Sequence, residues 1–281
     1  MHRQSPAAQE FARHEAATGY APCPAVHNSM AKLNLGGGPG FAHPGWMNLE
    51  GVASAQNPFP FDFNKSAIFP IPSGAMPLVY SSHCLEHLDD ETVGRTLDES
   101  RRVLQKDGAL FLKLPDFDKG LAEWRRGDAC FFGDRQWGIE SVTDTWFRNG
   151  LRDTLDMRAS MVFCGFWNAA YGDHFSGNIK LGGGAYHGPS RQTPSMAKAL
   201  CQMDHPHEVA AILRDSVKEN ESSYVFNHQN AWGRQELSHL LAQHGFQVLS
   251  FDKNAITSHF AEVPAINEMF DLSMYCVAEP L

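Results

Sequence analysis

A glycine-rich stretch near the start of the chain is the first feature of the sequence that could do chemistry. The run Gly36–Gly40 reads Gly-Gly-Gly-Pro-Gly and directly follows the strand-like run Lys32–Leu35. Glycines let the backbone approach a ligand closely, because no Cβ intervenes and a positive φ costs little. Glu50 ends the next strand-like run, where a carboxylate can accept hydrogen bonds from both hydroxyls of a ribose. The loop lacks the G-x-G-x-x-G pattern, so the sequence predicts a nucleoside site without a pyrophosphate.

A second cluster combines two histidines with a carboxylate. His83, Glu86 and His87 place the imidazoles four residues apart at a helix start, a spacing that can bind a divalent metal. The alternative is that Glu86 accepts hydrogen bonds from loop or helix-start amides, and we favour this metal-free interpretation. His83 is also the first candidate for a general base, because imidazole titrates near neutral pH. Its ring could instead only hydrogen-bond the backbone at the strand end.

Further candidates lie later in the chain. Asp116 follows the apolar run Ala109–Leu114, at the sheet edge where open α/β folds place their ligands, and is the alternative base. His228 precedes the last predicted helix and is a third catalytic candidate. Three residues of the middle region are candidates for substrate contacts: His174, His187 and Trp167.

The elements that must position these residues follow from the spacing of apolar side chains. Six strands are predicted, at 32–35, 46–50, 78–82, 109–114, 246–249 and 272–277. One helix starts from a cap at Asp89 or Asp90, and a second spans Arg234–His244 and ends at Gly245. The chain should turn at Lys106–Gly108. Strands that alternate with helices predict a parallel sheet covered on both faces.

The alternating pattern is lost in the middle of the chain. Four of the six tryptophans lie between about residues 118 and 225, among many glycines. A structureless loop of that size is improbable in a compact domain, so we expect an inserted subdomain whose aromatic residues form its core or a wall of the substrate site. The predicted organisation is a lead-in with a helix at 1–30, a nucleoside-binding domain at 31–117 and 226–281, and the insertion at 118–225.

Several ordered stretches of the sequence resemble one family. The stretches are Leu33-Asn34-Leu35-Gly36-Gly37-Gly38, Gly45-Trp46-Met47-Asn48-Leu49-Glu50, Val79 to Leu88, Arg102 to Gly108, Leu114-Pro115-Asp116, and Leu237 to Phe246 followed by Ser273-Met274-Tyr275. In this order they resemble the class I S-adenosylmethionine-dependent methyltransferases, type 11-like, a bacterial kind often encoded beside polysaccharide biosynthesis genes. The resemblance covers roughly residues 31 to 118 and 226 to 281.

The resemblance implies a fold and a cofactor. The fold is a Rossmann-like α/β sheet, mostly parallel with an antiparallel last strand, with the long insertion after the fifth strand. No family pattern carries over to the insertion, and we expect it to act as a substrate lid. The cofactor is S-adenosylmethionine. Nine residues would line its site: Leu35, Gly36, Gly37, Gly38, Gly40, Glu50, Asp62, Ser82 and His83.

Individual roles follow from the same resemblance. The glycines would pass under the methionine part, Glu50 would hold the ribose, and Asp62 would lie near the adenine amino group. Ser82 and His83 would face the sulfonium. Gly37 departs from the family, which commonly has Cys or Ser at that position. Some RNA 2′-O-methyltransferases carry Glu-x-x-Glu-His for a divalent cation, and here His83 stands in place of the first Glu.

Composition limits the partners. The chain has 281 residues and a formal charge of −9, from 23 Lys and Arg against 32 Asp and Glu, which disfavours DNA. No apolar stretch approaches the about 20 residues that span a bilayer, so no membrane span is expected. No secretory signal is visible, and the six cysteines are spread singly, which is typical of reduced thiols in a cytoplasmic protein. We expect a small-molecule or sugar substrate, and a homodimer stays open.

Three functions remain after these observations. The leading hypothesis is methyl transfer from S-adenosylmethionine to a small or carbohydrate-like acceptor, to oxygen rather than nitrogen. The alternative is an inactive module that binds the cofactor or a nucleoside and serves as a regulatory partner. The third is metal-assisted RNA 2′-O-methylation, which predicts a basic groove that the net charge disfavours.

Overall fold

A single mixed sheet organises the chain. The computed structural model describes residues 32–38, 40–55, 60–66, 68–132, 154–164, 198–214, 228–257 and 272–281. The strands are β1 (Lys32–Leu35), β2 (Trp46–Leu49), β3 (Met76–Ser82), β4 (Leu104–Pro115), β5 (Phe246–Ser250) and β6 (Ser273–Pro280). The α-helices of the described residues are α1 (Asp90–Val103), α2 (Phe117–Arg126), α3 (Leu155–Cys164), α4 (Pro206–Arg214), α5 (Arg234–Gln243) and α6 (Lys253–Thr257).

The strand order is β2-β1-β3-β4-β6-β5. β1 is parallel to β2 and to β3, and β3 is parallel to β4, whereas β5 and β6 are antiparallel. This arrangement confirms the Rossmann-like α/β fold, mostly parallel with an antiparallel last strand. One detail differs from the prediction. Among the described residues the middle region follows β4, the fourth strand, rather than a fifth, because the described part of the connection from β2 to β3 contains no strand.

Aromatic packing takes the place of a helix between β1 and β2. The described residues of this connection, 36–38 and 40–45, contain no helix, which departs from strict alternation of strands and helices. Phe41 and Trp46 instead pack against a buried cluster that includes Tyr80 and Phe111. The ring centroids of Phe41 and Trp46 lie 5.7 Å apart, and those of Trp46 and Tyr80 lie 6.1 Å apart, both edge to face. Large rings therefore supply the apolar cover that a crossover helix usually provides.

Helix α1 begins where the sequence indicates. The carboxylate of Asp89 accepts a hydrogen bond from the amide of Thr92 at 2.7 Å, so Asp89 rather than Asp90 is the N-cap. The predicted turn at residues 106–108 lies inside β4. There the pairing with β3 jumps from Met76–Leu104 to Leu78–Ala109, so the residues between the two pairs bulge out of the ladder.

Helix α5 ends close to the predicted stop. Its last residue is Gln243, and Gly245 follows with φ +75°. A Cβ built at Gly245 would lie 2.7 Å from Nε of Arg101, so both the left-handed backbone and the tight packing require glycine. β5 then begins at Phe246.

Two compact units divide the chain. The first comprises residues 1–114, 238–267 and 275–281, and the second comprises residues 115–237 and 268–274. No helix in the described residues is long and apolar enough to cross a membrane. The predicted lead-in at 1–30 lies outside the described residues.

The second unit contains the described part of the predicted insertion. Trp124 of α2 is 2% exposed, and its Nε1 donates to Oδ1 of Asp156 on α3 at 2.7 Å. Its ring lies 5.8 Å from that of Phe163. This tryptophan is therefore a core residue, as the simpler of the two interpretations proposed. The domain boundaries assigned from sequence remain predictions.

Candidate functional site

The glycine loop leaves β1 with a backbone that favours glycine. Gly36 has φ +67° and Gly38 has φ +79°, both in the left-handed region. The amide of Gly36 donates to the carbonyl of Leu49 at 2.8 Å, so the first residue of the loop is tied to the end of β2. Leu35 is buried in β1, immediately before the loop.

One side of the loop packs against the segment that follows β3. A Cβ built at Gly36 would lie 2.3 Å from Sγ of Cys84, which leaves no room for a side chain. Burial, together with the nearby charges of Glu86 and Glu50, raises the pKa of the Cys84 thiol to about 12. The residue beneath the loop is therefore a neutral thiol at physiological pH.

The other side of the loop meets Glu50. The amide of Gly38 donates to Oε2 of Glu50 at 2.9 Å, and the amide of Val52 donates to Oε1 at 3.1 Å. Among the described residues, no atom lies within 4 Å of a Cβ built at Gly38 or Gly40. The carboxylate of Glu50 therefore lies beside this open space, with an amide bound to each of its two oxygens. The loop and the carboxylate, which lie in separate parts of the sequence, converge.

The sequence analysis missed two asparagines in this site. Asn34 of β1 and Asn48 of β2 are register partners, and Asn34 Nδ2 donates to Asn48 Oδ1 at 3.2 Å. The same oxygen accepts from the amide of Gly37 at 3.2 Å, while Asn48 Nδ2 donates to the carbonyl of Gly38 at 3.1 Å. The sequence did contain a signal for Asn48. Side chains along a β-strand alternate between the two faces of the sheet, so Asn48 and Glu50, two residues apart, are expected on the same face.

His83 has a strained backbone at the end of β3. It is the one non-glycine residue with positive φ, 49°, among the described residues. Its amide donates to the carbonyl of Lys113 at 2.9 Å, and Ser82 pairs in register with the same lysine. Nδ1 of His83 lies 3.3 Å from Oε1 of Glu86, whose side chain is completely buried. A buried carboxylate thus faces one nitrogen of a histidine that is 23% exposed.

The other two residues of the His-x-x-Glu-His pattern belong to a short 3-10 turn, Leu85–His87. The amide of His87 donates to the carbonyl of Cys84 at 3.0 Å. His87 is half-buried, whereas Glu86 is fully buried. The pattern therefore closes a turn directly after His83 rather than starting a long helix.

Asp62 lies on a segment that is bound to the end of β2. The amide of Phe61 donates to the carbonyl of Glu50 at 2.8 Å. Oδ2 of Asp62 pairs with Nζ of Lys65 at 2.8 Å, and Oδ1 accepts from the amide of Asn64 at 3.0 Å. Burial by itself raises the pKa of Asp62, but the interactions with Lys65 and Asn64 outweigh it and hold that pKa below its ordinary value.

The remaining candidates belong to the second unit or lie outside the described residues. Asp116 is the N-cap of α2, because its Oδ1 accepts from the amide of Lys119 at 3.0 Å, and its Oδ2 lies 3.6 Å from Nη2 of Arg234. His228 is 8% exposed, and its ring packs edge to face on Phe117 at 5.6 Å. Three predicted substrate residues lie outside the described residues: His174, His187 and Trp167.

The sheet, the glycine loop and the acidic end of β2 agree with a family comparison. The family model described as a methyltransferase domain matches residues 48–112, from β2 into β4. This part of the chain is similar to a methyltransferase domain. The matched segment includes Glu50, Asp62 and His83, and the glycine loop lies just before it. A similarity to a methyltransferase domain agrees with S-adenosylmethionine as the predicted cofactor.

The chain is also similar to solved structures at low sequence identity. An S-adenosylmethionine-dependent methyltransferase from Mesorhizobium loti is 12% identical, with a TM-score of 0.38 and coverage of 93% of this chain and 98% of that chain. A complex between the Haloferax volcanii Trm112 methyltransferase activator and the putative methyltransferase gives 10% identity, a TM-score of 0.39, and coverage of 97% and 94%.

A third structure matches over part of its length. PKMT2 from Rickettsia typhi is 12% identical, with a TM-score of 0.37, and the alignment covers 96% of this chain and 52% of that chain. Comparison with curated proteins gives no match. At these scores the structural likenesses decide nothing about the methyl acceptor.

Proposed function

We propose that the chain transfers a methyl group from S-adenosylmethionine to a hydroxyl oxygen of a small-molecule or carbohydrate-like acceptor. The observation that carries the proposal is the 2.9 Å hydrogen bond from the Gly38 amide to Glu50, next to the open space at Gly38 and Gly40. A glycine loop whose backbone a ligand can approach, beside a carboxylate that can accept hydrogen bonds from hydroxyl groups, supports the binding of an adenosyl group.

The residues around the loop fit this cofactor in three parts. The backbone of Gly36, Gly37, Gly38 and Gly40 would pass under its methionine part, and Leu35 would support the start of the loop. Glu50 would accept hydrogen bonds from the ribose hydroxyls. Asp62 would lie on the adenine side, since the adjacent amide of Phe61 is bound to the carbonyl of Glu50. Bound there, the cofactor supplies an electrophilic methyl group.

His83 is the proposed general base. With a proton on Nδ1 directed to Glu86, Nε2 keeps its lone pair and can accept the proton of an acceptor hydroxyl. As the methyl group is transferred to the acceptor oxygen, Nε2 of His83 would take up the proton of that hydroxyl. Ser82, at the end of the same strand, would help to orient the acceptor. The positive φ of His83 supports this role, because strained backbone often lies at functional sites.

Two residues of the second unit are alternatives for the base. Asp116 caps α2 through the amide of Lys119, and its other oxygen lies 3.6 Å from Arg234, so both oxygens already have partners. His228 is buried against Phe117 and stays a candidate on the acceptor side. We propose His83 ahead of both because a carboxylate already faces its Nδ1. We also propose that the site contains no metal, and that Glu86 orients the ring of His83 rather than binding a cation.

Calorimetry with S-adenosylmethionine and S-adenosylhomocysteine tests the cofactor assignment. Glu50→Ala should weaken binding by about 1 to 3 kcal/mol, because the ribose hydroxyls lose their acceptor. Glu91→Ala is a matched control, since Glu91 is an exposed glutamate on α1. Unchanged affinity in Glu50→Ala would remove this residue from the site.

A methyl-release assay over hydroxylated small molecules, sugars and RNA then tests the reaction. Turnover with a small hydroxylated acceptor supports the proposal. Cofactor binding without turnover on any acceptor would favour an inactive binding module. Turnover that occurs only on RNA and requires a divalent cation would favour 2′-O-methylation.

A further inference from the structure

Two asparagine side chains lie beside the glycine loop: Asn48 is hydrogen-bonded to the loop backbone, and Asn34 is hydrogen-bonded to Asn48. Asn34 and Asn48 face each other across β1 and β2, and Asn34 is 1% exposed. Asn48 is half-buried and uses both ends of its amide on the loop, with Oδ1 accepting from the amide of Gly37 and Nδ2 donating to the carbonyl of Gly38. Since a donor and an acceptor are both needed, aspartate or alanine cannot reproduce these contacts.

Asn48 and Glu50 together fix three successive peptide units. Asn48 bonds the N–H between residues 36 and 37 and the carbonyl between residues 38 and 39. Glu50 bonds the N–H of the peptide between them. A glycine peptide can rotate at little cost because both flanking residues tolerate φ values of either sign. Without Asn48, the amide of Gly37 would lose this acceptor, and the carbonyl of Gly38 would keep the amide of Phe41, which donates to it at 3.2 Å.

The same pair explains why residue 37 is glycine here. A Cβ built at Gly37 would lie 1.8 Å from Nδ2 of Asn34 and 2.8 Å from Oδ1 of Asn48. A cysteine or serine at this position would displace the asparagine amides. Gly37 differs from the Cys or Ser common in the family because the side chains of Asn34 and Asn48 occupy the space that a side chain at residue 37 would need.

We propose that Asn48, supported by Asn34, is a positioning residue that sets the orientation of the Gly37–Gly38 backbone for cofactor binding. This inference rests on the proposed function. Asn48 does not touch the cofactor, and it acts through the loop amides and through the hydrogen bond between Gly38 and Glu50. Loss of its amide should weaken cofactor binding more than it slows the reaction of bound substrates.

Asn48→Asp is the sharpest test because it keeps the shape and removes the donor to the Gly38 carbonyl. We expect a rise of about tenfold in Kd for S-adenosylhomocysteine and in KM for S-adenosylmethionine, with kcat near that of the wild type. Asn254→Asp is the matched control, an exposed asparagine on α6 that undergoes the same chemical change. An Asn48→Asp variant that has a lower Tm and an unchanged Kd would overturn the inference, because Asn48 would then be only structural.

A double-mutant cycle tests whether Gly37 and Asn48 act together. Gly37→Ala and Asn48→Ala should each raise Kd, and the double variant should bind about as weakly as the worse single variant, because both changes disrupt the same contacts. Additive effects would overturn the coupling. If the single variants fail to fold, hydrogen exchange of the loop amides in Asn48→Asp tests instead whether Asn48 orients the loop.

Hydrogen exchange separates this inference from the proposed function. In the cofactor-free protein, the amides of Gly37 and Gly38 should exchange about tenfold faster in Asn48→Asp than in Asn254→Asp. Equal exchange rates would overturn the role of Asn48 in holding the loop, whether or not the cofactor binds. A wild-type protein that binds neither form of the cofactor overturns the proposed function and the cofactor-binding part of this inference, and the exchange rates still decide whether Asn48 holds the loop.

Discussion

The imidazole of His83 and the carboxylate of Glu86 form a pair at the end of β3. Nδ1 of His83 lies 3.3 Å from Oε1 of Glu86, so the carboxylate can orient the imidazole ring. The exposed fraction of 23% leaves part of the His83 side chain accessible, while Glu86 is shielded from water completely. The pair thus combines an accessible imidazole with a buried carboxylate.

Removing either member of this pair should slow the reaction and spare cofactor binding. His83→Ala should lower kcat by about 10² to 10⁴, the usual contribution of a general base. Glu86→Gln should lower kcat less, since the imidazole stays in place without its charged partner. Single-turnover kinetics with calorimetry of S-adenosylhomocysteine measures both effects. Wild-type kcat in His83→Ala would transfer the role to Asp116, to His228 or to no residue.

Gly36 is constrained by its backbone and by its neighbour. Gly36→Ala should abolish cofactor binding or shift the loop, because φ is +67° and the new Cβ would lie 2.3 Å from Sγ of Cys84. Gly51→Ala is the control, because among the described residues its Cβ would meet only the carbonyl of Phe61, at an ordinary 3.8 Å. Calorimetry compares the two variants. Equal affinities would show that the loop does not approach the cofactor.

At the scale of elements, the candidate site lies where three neighbouring strands of the sheet end. β1, β2 and β3 are parallel neighbours, so the loop after β1, Glu50 after β2 and His83 after β3 all lie at the same edge of the sheet. The start of helix α1, which follows β3 in the chain, is fixed by its N-cap residue, because the first amides of an α-helix have no partner within the helix.

The sequence left the cap of α1 open between two aspartates, and a pair of variants distinguishes them. Asp89→Ala should lower the free energy of unfolding by about 1 kcal/mol, because the amide of Thr92 loses its acceptor. Asp90→Ala removes only a favourable charge in the first turn and should cost about 0.3 to 1 kcal/mol at low salt. Urea denaturation of both variants gives the comparison. A larger cost for Asp90→Ala would contradict the observed cap.

At the scale of the whole molecule, buried thiols link stability to pH. Burial raises the pKa of Cys276, which is 1% exposed in β6, to about 12, as it does for Cys84. In the unfolded chain a thiol loses its proton from about pH 8.5, whereas these two keep theirs. The unfolded state therefore binds fewer protons above that pH, and the free energy of unfolding should fall as the pH rises from about 8.5 towards 12.

Replacing Cys276 should reduce this dependence on pH. For each buried thiol the free energy of unfolding can fall by up to about 1.4 kcal/mol per pH unit, and Cys276→Ala removes one such contribution. Cys130→Ala is the control, because Cys130 is an exposed free cysteine. Urea denaturation at pH 8, 9 and 10 measures the slope. Equal slopes for the two variants would contradict the role of burial.

The sequence by itself determined the order of the elements and the character of the site. Alternating apolar residues, turn residues and helix caps act over short distances, which is why the strands, α1, α5 and the stop at Gly245 could be predicted. Glycines followed by a carboxylate at the end of the next strand also indicated a nucleoside site. No local pattern distinguished Asp89 from Asp90, because both residue types can cap a helix.

Only the tertiary structure decided which side chains meet. Asn34 and Asn48 are ordinary strand residues in the sequence, and their role depends on the register of two parallel strands, which is set by packing across the sheet. The contact of Gly36 with Cys84 and the pairing of His83 with a buried Glu86 likewise depend on how β3 lies beside β1. Such contacts join distant segments, and their energies exist only once the sheet has formed.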